Sequence, residues 1–526
     1  MRPSSAAAAC RGLQRIASSS RLEAAPSRFS NRSYRSYRNP CLSLFVSPRC
    51  SFCATAPRRE DERQWSTPLA KQLFEAISTT GPVPLASYMR MCLTGDVGGY
   101  YTGAIGQDRD QFGVKGDFVT SPEISQIFGE LIGVWFIAEW MSQGQPEQGV
   151  QLIEVGPGRG TLMDDMLRTI KRFPAMADSI EQVFMVEASP ELRDAQKKIL
   201  CGADAEFAQG ESGLASSSGK HIGKPVVWAE SLKSIPIVAH EFFDALPIHI
   251  FQSAVAPITE KKSSLSSSSA ALLPQPSYEW REMMISPTSP AAMASAQAKS
   301  KAAGEGQTPP SPDEFQLILS SKPTRHSRHL PESSPRYQHL KQTPGSIVEI
   351  CPDASLYAAD FASRIGGSSR IPKPHPSGAA LILDYGTSDT IPINSLRGIR
   401  HHKLVSPFSA PGLVDLSADV DFTALAEAAT LASPGVEVHG PVPQADFLEQ
   451  MGIRERAEML IKTARAASPS ASAAATSIDK SWKRLVDRGP SGMGKVYKAL
   501  AIVPENDGRR RPVGFGGDVT PTKHNE

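Results

Sequence analysis

A short apolar run, Val150-Gln151-Leu152-Ile153-Glu154-Val155, passes directly into Gly156-Pro157-Gly158-Arg159-Gly160-Thr161, and this junction constrains the fold more than any other part of the chain. The aliphatic residues predict a buried strand and the glycines end it. Leu162, Met166, Leu167 and Ile170 then fall at helical spacing over Thr161–Phe173. A second strand is predicted over Gln182–Val186, followed by a helix over Pro190–Leu200. Val226–Trp228, Ile235–Ala239 and Ala380–Leu383 continue the series, and Val496–Ile502 reads as a last, antiparallel strand. Strands separated by helices predict an α/β fold, a doubly wound Rossmann-like sheet that is mostly parallel and has helices on both faces. Upstream, Ser121–Trp140 reads as one helix capped by Thr120 or Ser121, with Pro122 and Glu123 in its first turn.

The glycine turn is the first candidate site. Gly156 permits a sharp bend, and Gly158 and Gly160 let the backbone approach a ligand that a Cβ would displace. Ligands of open α/β sheets bind beyond the carboxyl ends of such strands. The spacing is G-x-G-x-G with an acid two residues ahead, whereas the dinucleotide fingerprint is G-x-G-x-x-G. A pyrophosphate prefers a helix N-terminus without a neighbouring anion, so Glu154 suits a cationic ligand better. The glycines alone are equally explained by a structural tight turn. Glu187 closes the second strand, about 30 residues on, where a carboxylate can accept both ribose hydroxyls of an adenosine. Together these features describe an S-adenosylmethionine pocket, with Glu154 at the amino-acid end and Glu187 at the ribose. Glu230 follows the third strand on the side from which adenine is approached, although a surface acid is the plainer reading.

The fourth strand leads into His240-Glu241-Phe242-Phe243-Asp244-Ala245-Leu246-Pro247. An arginine guanidinium has a pKa above about 12. To act as a nucleophile it must be desolvated, held planar and relieved of charge or a proton. Carboxylates that accept from its N–H groups serve that end, and aromatic faces restrict its plane. Glu241 and Asp244 are therefore the candidate catalytic residues, while the two phenylalanines fit core packing equally well.

Composition bounds the rest. Residues 1–57 hold nine arginines, no lysine and a single acid, Glu23, with no long apolar stretch. That is an organelle transit peptide, and its arginine content favours the mitochondrion; cleavage is expected between Arg49 and Arg63. The remainder is mildly acidic, which argues against a nucleic-acid partner, and no apolar run approaches the length of about 18 residues a spanning helix needs. Cys92, Cys201 and Cys351 lie far apart without metal-ligand spacing, so neither a disulfide framework nor a metal site is predicted. Ser263–Ser269 opens a Ser/Ala/Pro-rich zone reaching to about Pro344, most repetitive over Pro287–Ser311. Two apolar islands interrupt it, Tyr278–Ile285 and Phe315–Leu319, and predict a hairpin with overgrown loops. The expected organisation is a domain over 69–504 with an inserted subdomain over 246–346, a small-residue linker at Ala464–Thr476, and a polar tail over 505–526.

These segments resemble the MidA-like class I methyltransferases, from about Leu69 to Ile502. The resemblance is carried by Gly116-Asp117-Phe118-Val119-Thr120-Ser121-Pro122-Glu123, Glu154 through Leu162, Val186-Glu187-Ala188-Ser189 and His240 through Pro247. Leu383-Asp384-Tyr385-Gly386, Asp415 through Phe422 and Met493 through Lys498 carry it further. It implies an S-adenosylmethionine-dependent enzyme without a metal, in which Ser121 and Glu123 belong to a segment lying over the cofactor. For the mitochondrial branch it implies symmetric dimethylation of an arginine in a matrix-arm iron–sulfur subunit of complex I, in the matrix, during assembly. The Ser/Pro zone is longer than this family needs. A catalytically silent assembly chaperone and a nicotinamide-dependent oxidoreductase are the competing readings; the intact acid–glycine pattern opposes the first and the glycine spacing the second. The sequence leaves a homodimer open.

Overall fold

The computed structural model describes residues 64–103, 116–209, 215–229, 238–256, 276–289, 291–292, 295, 313–370, 372–467 and 472–517, all within one compact unit. The expected transit segment, Glu230 and the stretches 263–275 and 296–312 of the Ser/Pro zone, Ser263–Ser269 included, lie outside these residues. The first elements in chain order are helix α1 (Pro68–Thr80), strand β1 (Val83–Pro84), α2 (Leu85–Thr94), α3 (Ser121–Ile124) and α4 (Gln126–Ser142). Next come β2 (Val150–Val155), α5 (Thr161–Ile170), α6 (Pro174–Ser179), β3 (Ile180–Val186) and α7 (Pro190–Cys201). The strands that follow are β4 (Ala208–Gln209), β5 (Ala215–Ser218), β6 (Pro225–Ala229), β7 (Val238–His240), β8 (His249–Val255), β9 (Tyr278–Pro287), β10 (Phe315–Leu319) and β11 (Ile347–Ile350). The last are β12 (Ala380–Thr387), β13 (Arg397–Arg400), β14 (Lys403–Val405), β15 (Asp415–Ser417), β16 (Val420–Asp421), β17 (Val436–Pro443) and β18 (Tyr497–Pro504).

The main sheet has the order β17-β18-β12-β7-β2-β3-β6-β5-β4, with β16 added beside β12. Its centre, β12-β7-β2-β3-β6, is parallel, and β18 runs antiparallel to β12. β18 is the last strand in the chain and antiparallel, as expected, and β17, which was not expected, pairs antiparallel on its outer side. The chain winds from β2 out to β3 and β6, then returns to the other side of β2 for β7 and β12. Winding therefore reverses between β2 and β7, and such a reversal leaves an open crevice at the strands' carboxyl ends. The glycine turn stands in that crevice.

Successive residues of each strand alternate between two cores. Leu152, Met185, Trp228, Leu381 and Leu383 join α4, α5 and the C-terminal helices. Ile153, Phe184, Val227 and Ile382 join Phe361 and Phe422, carried by the helices Pro352–Gly366 and Phe422–Ala432. A parallel sheet buries both faces, and each of these large side chains contributes roughly 1.5–3 kcal/mol by leaving water. The expected helix over Ser121–Trp140 is divided at Ser125, whose φ of −155° is extended and whose hydroxyl accepts from Ile127 N–H at 3.3 Å, a second N-cap. The longer piece, α4, is apolar around its whole girth because it lies between α5 and the helix Ile453–Ala467.

The inserted subdomain is a second, antiparallel sheet, β1-β9-β8-β11, with β10 also on β9. The predicted hairpin is present, Leu317 standing opposite Ile285; the two-residue β1 from the N-terminal side was too short to read. The linker expected at Ala464–Thr476 is a correction: Ala464–Ala467 complete the helix Ile453–Ala467, and Ser472–Thr476 open the helix Ser472–Val486. Its alanines are the strongest helix formers, and the two helices pack on each other. The polar tail is docked over its described part. Arg510 donates to both carboxylate oxygens of Glu139, at 3.0 and 2.6 Å, with both side chains buried, and Phe515 packs 5.6 Å from the Phe447 ring.

Candidate active site

A cavity of about 680 Å³ opens at the reversal point, walled by the glycine turn, the ends of β3 and β7, and the helix Pro352–Gly366. Gly156 N–H donates to Val186 O at 3.0 Å, stitching the turn to the end of β3. Gly156 has φ +63°, and a Cβ there would stand 2.9 Å from the Phe242 ring. Gly158 lines the same wall. Gly160 (φ +83°) is the N-cap of α5 and stands behind the cavity against Gln196.

Glu154 is buried at the cavity wall, and its Oε2 has no hydrogen-bond partner among the described residues. Burial pushes its carboxyl up to about 8, against the pull of the Met163 N–H, with Glu187 adding repulsion. An unmatched buried carboxylate oxygen calls for a donor or a cation in the cavity. Glu187 accepts from Ser189 N–H at 2.9 Å and from Gln196 Nε2 at 3.2 Å; burial raises it to about 7. Gln196 escaped the sequence reading. Its Nε2 also donates to Gly158 O at 2.7 Å, and its Oε1 accepts from Trp228 Nε1 at 2.9 Å. One amide thus ties the glycine turn, the strand-end acid and β6 together. No motif signals a glutamine on α7.

Glu123 also lines the cavity; its carboxylate accepts from Thr120 N–H at 3.3 Å and stands 3.4 Å from the Arg159 guanidinium. It therefore caps α3 and forms cavity wall at once. Ser121 does not reach the cavity. Fully buried, it directs its N–H to Glu241 Oε1 at 3.4 Å and its hydroxyl to Met493 Sδ at 3.9 Å.

The 240–247 turn is held by Asp384, within β12. Its Oδ2 accepts from the backbone N–H groups of Phe242, Phe243 and Asp244 at 3.1, 2.8 and 3.3 Å, and its Oδ1 from Tyr385 N–H at 2.8 Å. Glu241 lines the cavity in a left-handed backbone conformation, φ +47°, which costs a non-glycine residue of order 1–3 kcal/mol. Burial raises its carboxyl well above the ordinary range, and Asp244, Glu123 and Asp415 add to the effect. His240 Nε2 lies 3.3 Å from Glu241 Oε1, and burial drives that imidazole down to about 3, so it is neutral. Asp244 sits behind the cavity lining; burial raises it, and the Tyr385 hydroxyl and Arg397 guanidinium draw it back. Asp415 accepts from the Tyr101 hydroxyl at 2.9 Å and is raised by burial to about 7. At the mouth Phe242 meets Tyr357 edge-on at 5.0 Å, Leu356 is exposed, and Arg90 bridges to Asp353 at 2.9 Å.

A family model described as an S-adenosyl-L-methionine-dependent methyltransferase matches residues 131–442. The mitochondrial protein arginine methyltransferase NDUFAF7 of Xenopus laevis is 32% identical over 455 residues, 85% of this chain and 87% of that protein. NDUFAF7 of Homo sapiens is 32% identical over 445 residues, 83% and 84% of the two chains. The chain belongs to this methyltransferase family. A Burkholderia thailandensis superfamily member, crystallised with S-adenosyl-homocysteine, superposes with a TM-score of 0.58 at 21% identity, over 86% of this chain and 95% of its own; that likeness supports the fold. S-adenosylmethionine is the cofactor of the methyltransferase, and the residues present fit it. The unmatched Glu154 oxygen suits its cationic amino-acid end, Glu187 its ribose, and Gly156 keeps clear the space a side chain would occupy.

Proposed function

We propose that this chain is a mitochondrial protein arginine methyltransferase that dimethylates, symmetrically, an arginine of a matrix-arm iron–sulfur subunit of complex I during assembly. The observation that carries the reading is the acidic inner wall of the cavity. Glu241, with Asp244 and Asp415 behind it, forms a buried cluster of acids whose carboxyls are raised, an environment that disfavours further negative charge and favours a guanidinium. The names of the curated relatives support arginine as the target and the mitochondrion as the compartment, as does the arginine-rich, acid-poor segment 1–57.

S-adenosylmethionine supplies a methyl group on a sulfonium. Glu154 and Glu187 hold the two ends of that donor. Glu241 is held protonated by burial until a guanidinium enters; the cation then replaces the proton as counter-charge. The resulting carboxylate would orient the nitrogen and take its proton as the N–C bond forms and the sulfonium's S–C bond breaks, with S-adenosyl-homocysteine as the leaving group. The neutral His240, 3.3 Å away, is placed to share that proton. Asp384 keeps the turn in register, so alignment and carboxylate placement supply most of the rate.

The test is mass spectrometry of complex I iron–sulfur subunits incubated with the full chain and S-adenosylmethionine. Arginine gaining 28 Da as symmetric dimethylarginine supports the reading. S-adenosyl-homocysteine binding without any transfer would identify a silent assembly chaperone instead. Glu241→Gln should abolish transfer while leaving cofactor binding intact.

A further inference from the structure

The second sheet carries a side-chain cluster that the methyl transfer does not use. His249 on β8, Glu282 on β9 and His326, in the helix Arg325–His329 after β10, converge so that one donor atom from each lies within 4.8 Å of the others. His249 Nδ1 stands 2.7 Å and His326 Nδ1 3.4 Å from Glu282 Oε1, and the two imidazole centroids are 4.4 Å apart. Glu282 is fully buried and His249 nearly so, whereas the His326 side chain is 43% exposed. None of the three belongs to the cavity lining.

We propose that His249 Nδ1, Glu282 Oε1 and His326 Nδ1 bind one divalent cation of the zinc class, with solvent completing the shell on the exposed His326 side. Two imidazole nitrogens and a carboxylate oxygen are a borderline donor set that suits zinc better than calcium or magnesium. Zinc–ligand bonds of about 2.0–2.1 Å in tetrahedral geometry separate neighbouring ligand atoms by about 3.3 Å. The observed 2.7 and 3.4 Å straddle that value, and the His249–His326 separation lies within 4.8 Å, so modest side-chain shifts close the site on an ion. The groups that would orient the ligands are in place. The Thr324 hydroxyl donates to the other Glu282 oxygen, and the His249 ring stacks on Phe251 at 5.9 Å and 6°.

The placement gives the ion a structural task. His249 precedes the segment 257–275, Glu282 lies between it and the segment 290–312, and His326 follows the latter. An ion joining all three ties β8, β9 and the helix Arg325–His329 to one point, cross-linking the middle of the second sheet. No short motif could have revealed it, since His249 and Glu282 are 33 residues apart.

The test uses the full chain, dialysed against zinc and measured for bound metal by mass spectrometry and by thermal melting with and without chelator. The proposal expects about one zinc per chain, a lower melting temperature on chelation, and at least a hundredfold weaker zinc binding in His326→Ala. His326 is half exposed, so this variant should fold and bind S-adenosyl-homocysteine as the parent does; His326→Asn should match it. A wild-type chain that takes up no stoichiometric zinc, or a His326→Ala chain that binds zinc as tightly as the parent, overturns the proposal.

Discussion

Glu154 has its carboxyl raised to about 8 by burial, so folding favours its protonated form. That contribution is fully present below the unfolded value near 4.5 and is lost as pH rises through about 8. Melting curves of ligand-free wild type and Glu154→Gln should therefore diverge, the wild type losing a few kcal/mol relative to the variant between about pH 5 and pH 8.5. Saturation with S-adenosylmethionine should shrink that divergence, because its cationic end neutralises the carboxylate. A gap independent of pH would contradict the burial argument. Gly156 tests the same wall sterically. Gly156→Ala places a methyl 2.9 Å from Phe242 at φ +63°, and titration calorimetry should find S-adenosyl-homocysteine binding weakened at least tenfold, about 1.4 kcal/mol, with the far-ultraviolet spectrum unchanged.

Elements bring these residues to one place through two buried side chains. Gln196 on α7 links Gly158 O, Glu187 and Trp228. Gln196→Ala should raise the KM for S-adenosylmethionine about tenfold and leave kcat nearly unchanged, since it positions groups that bind the donor; a kcat loss of similar size would mean that it acts on the transition state. Asp384 on β12 accepts three consecutive N–H groups of the turn bearing Glu241. Asp384→Ala leaves those donors unsatisfied, each costing about 1–3 kcal/mol if no water replaces the carboxylate. Urea unfolding should record a loss of several kcal/mol at an unchanged m-value.

Over the whole molecule, the segment after Pro504 returns to α4, where Arg510 neutralises the buried Glu139. Deleting residues 505–526 should destabilise the chain by about 3–5 kcal/mol, because a buried charge is left without its partner; thermal melting against the Glu139→Gln truncation, which removes that charge, checks the cause. This docking was illegible in a tail of polar composition, as was β17 outside β18. The split at Ser125 and the helices across Ala464–Thr476 were misread for a related reason: a serine inside an apolar stripe and a run of alanines each allow two local structures, and packing selects one. The strands, the glycine turn and the strand-end Glu187 were legible, because a strand buried on both faces needs a continuous apolar run and positive φ favours glycine at the turn that ends it. The sequence by itself determined a parallel sheet with an acid-flanked glycine turn, since those demands are local to a few consecutive residues. Only the tertiary structure decided that Gln196 and Asp384 brace the site, that Asp244 stands behind it, and that His249, Glu282 and His326 meet. Contacts between residues tens to hundreds of positions apart depend on how whole elements pack, and no local pattern encodes them.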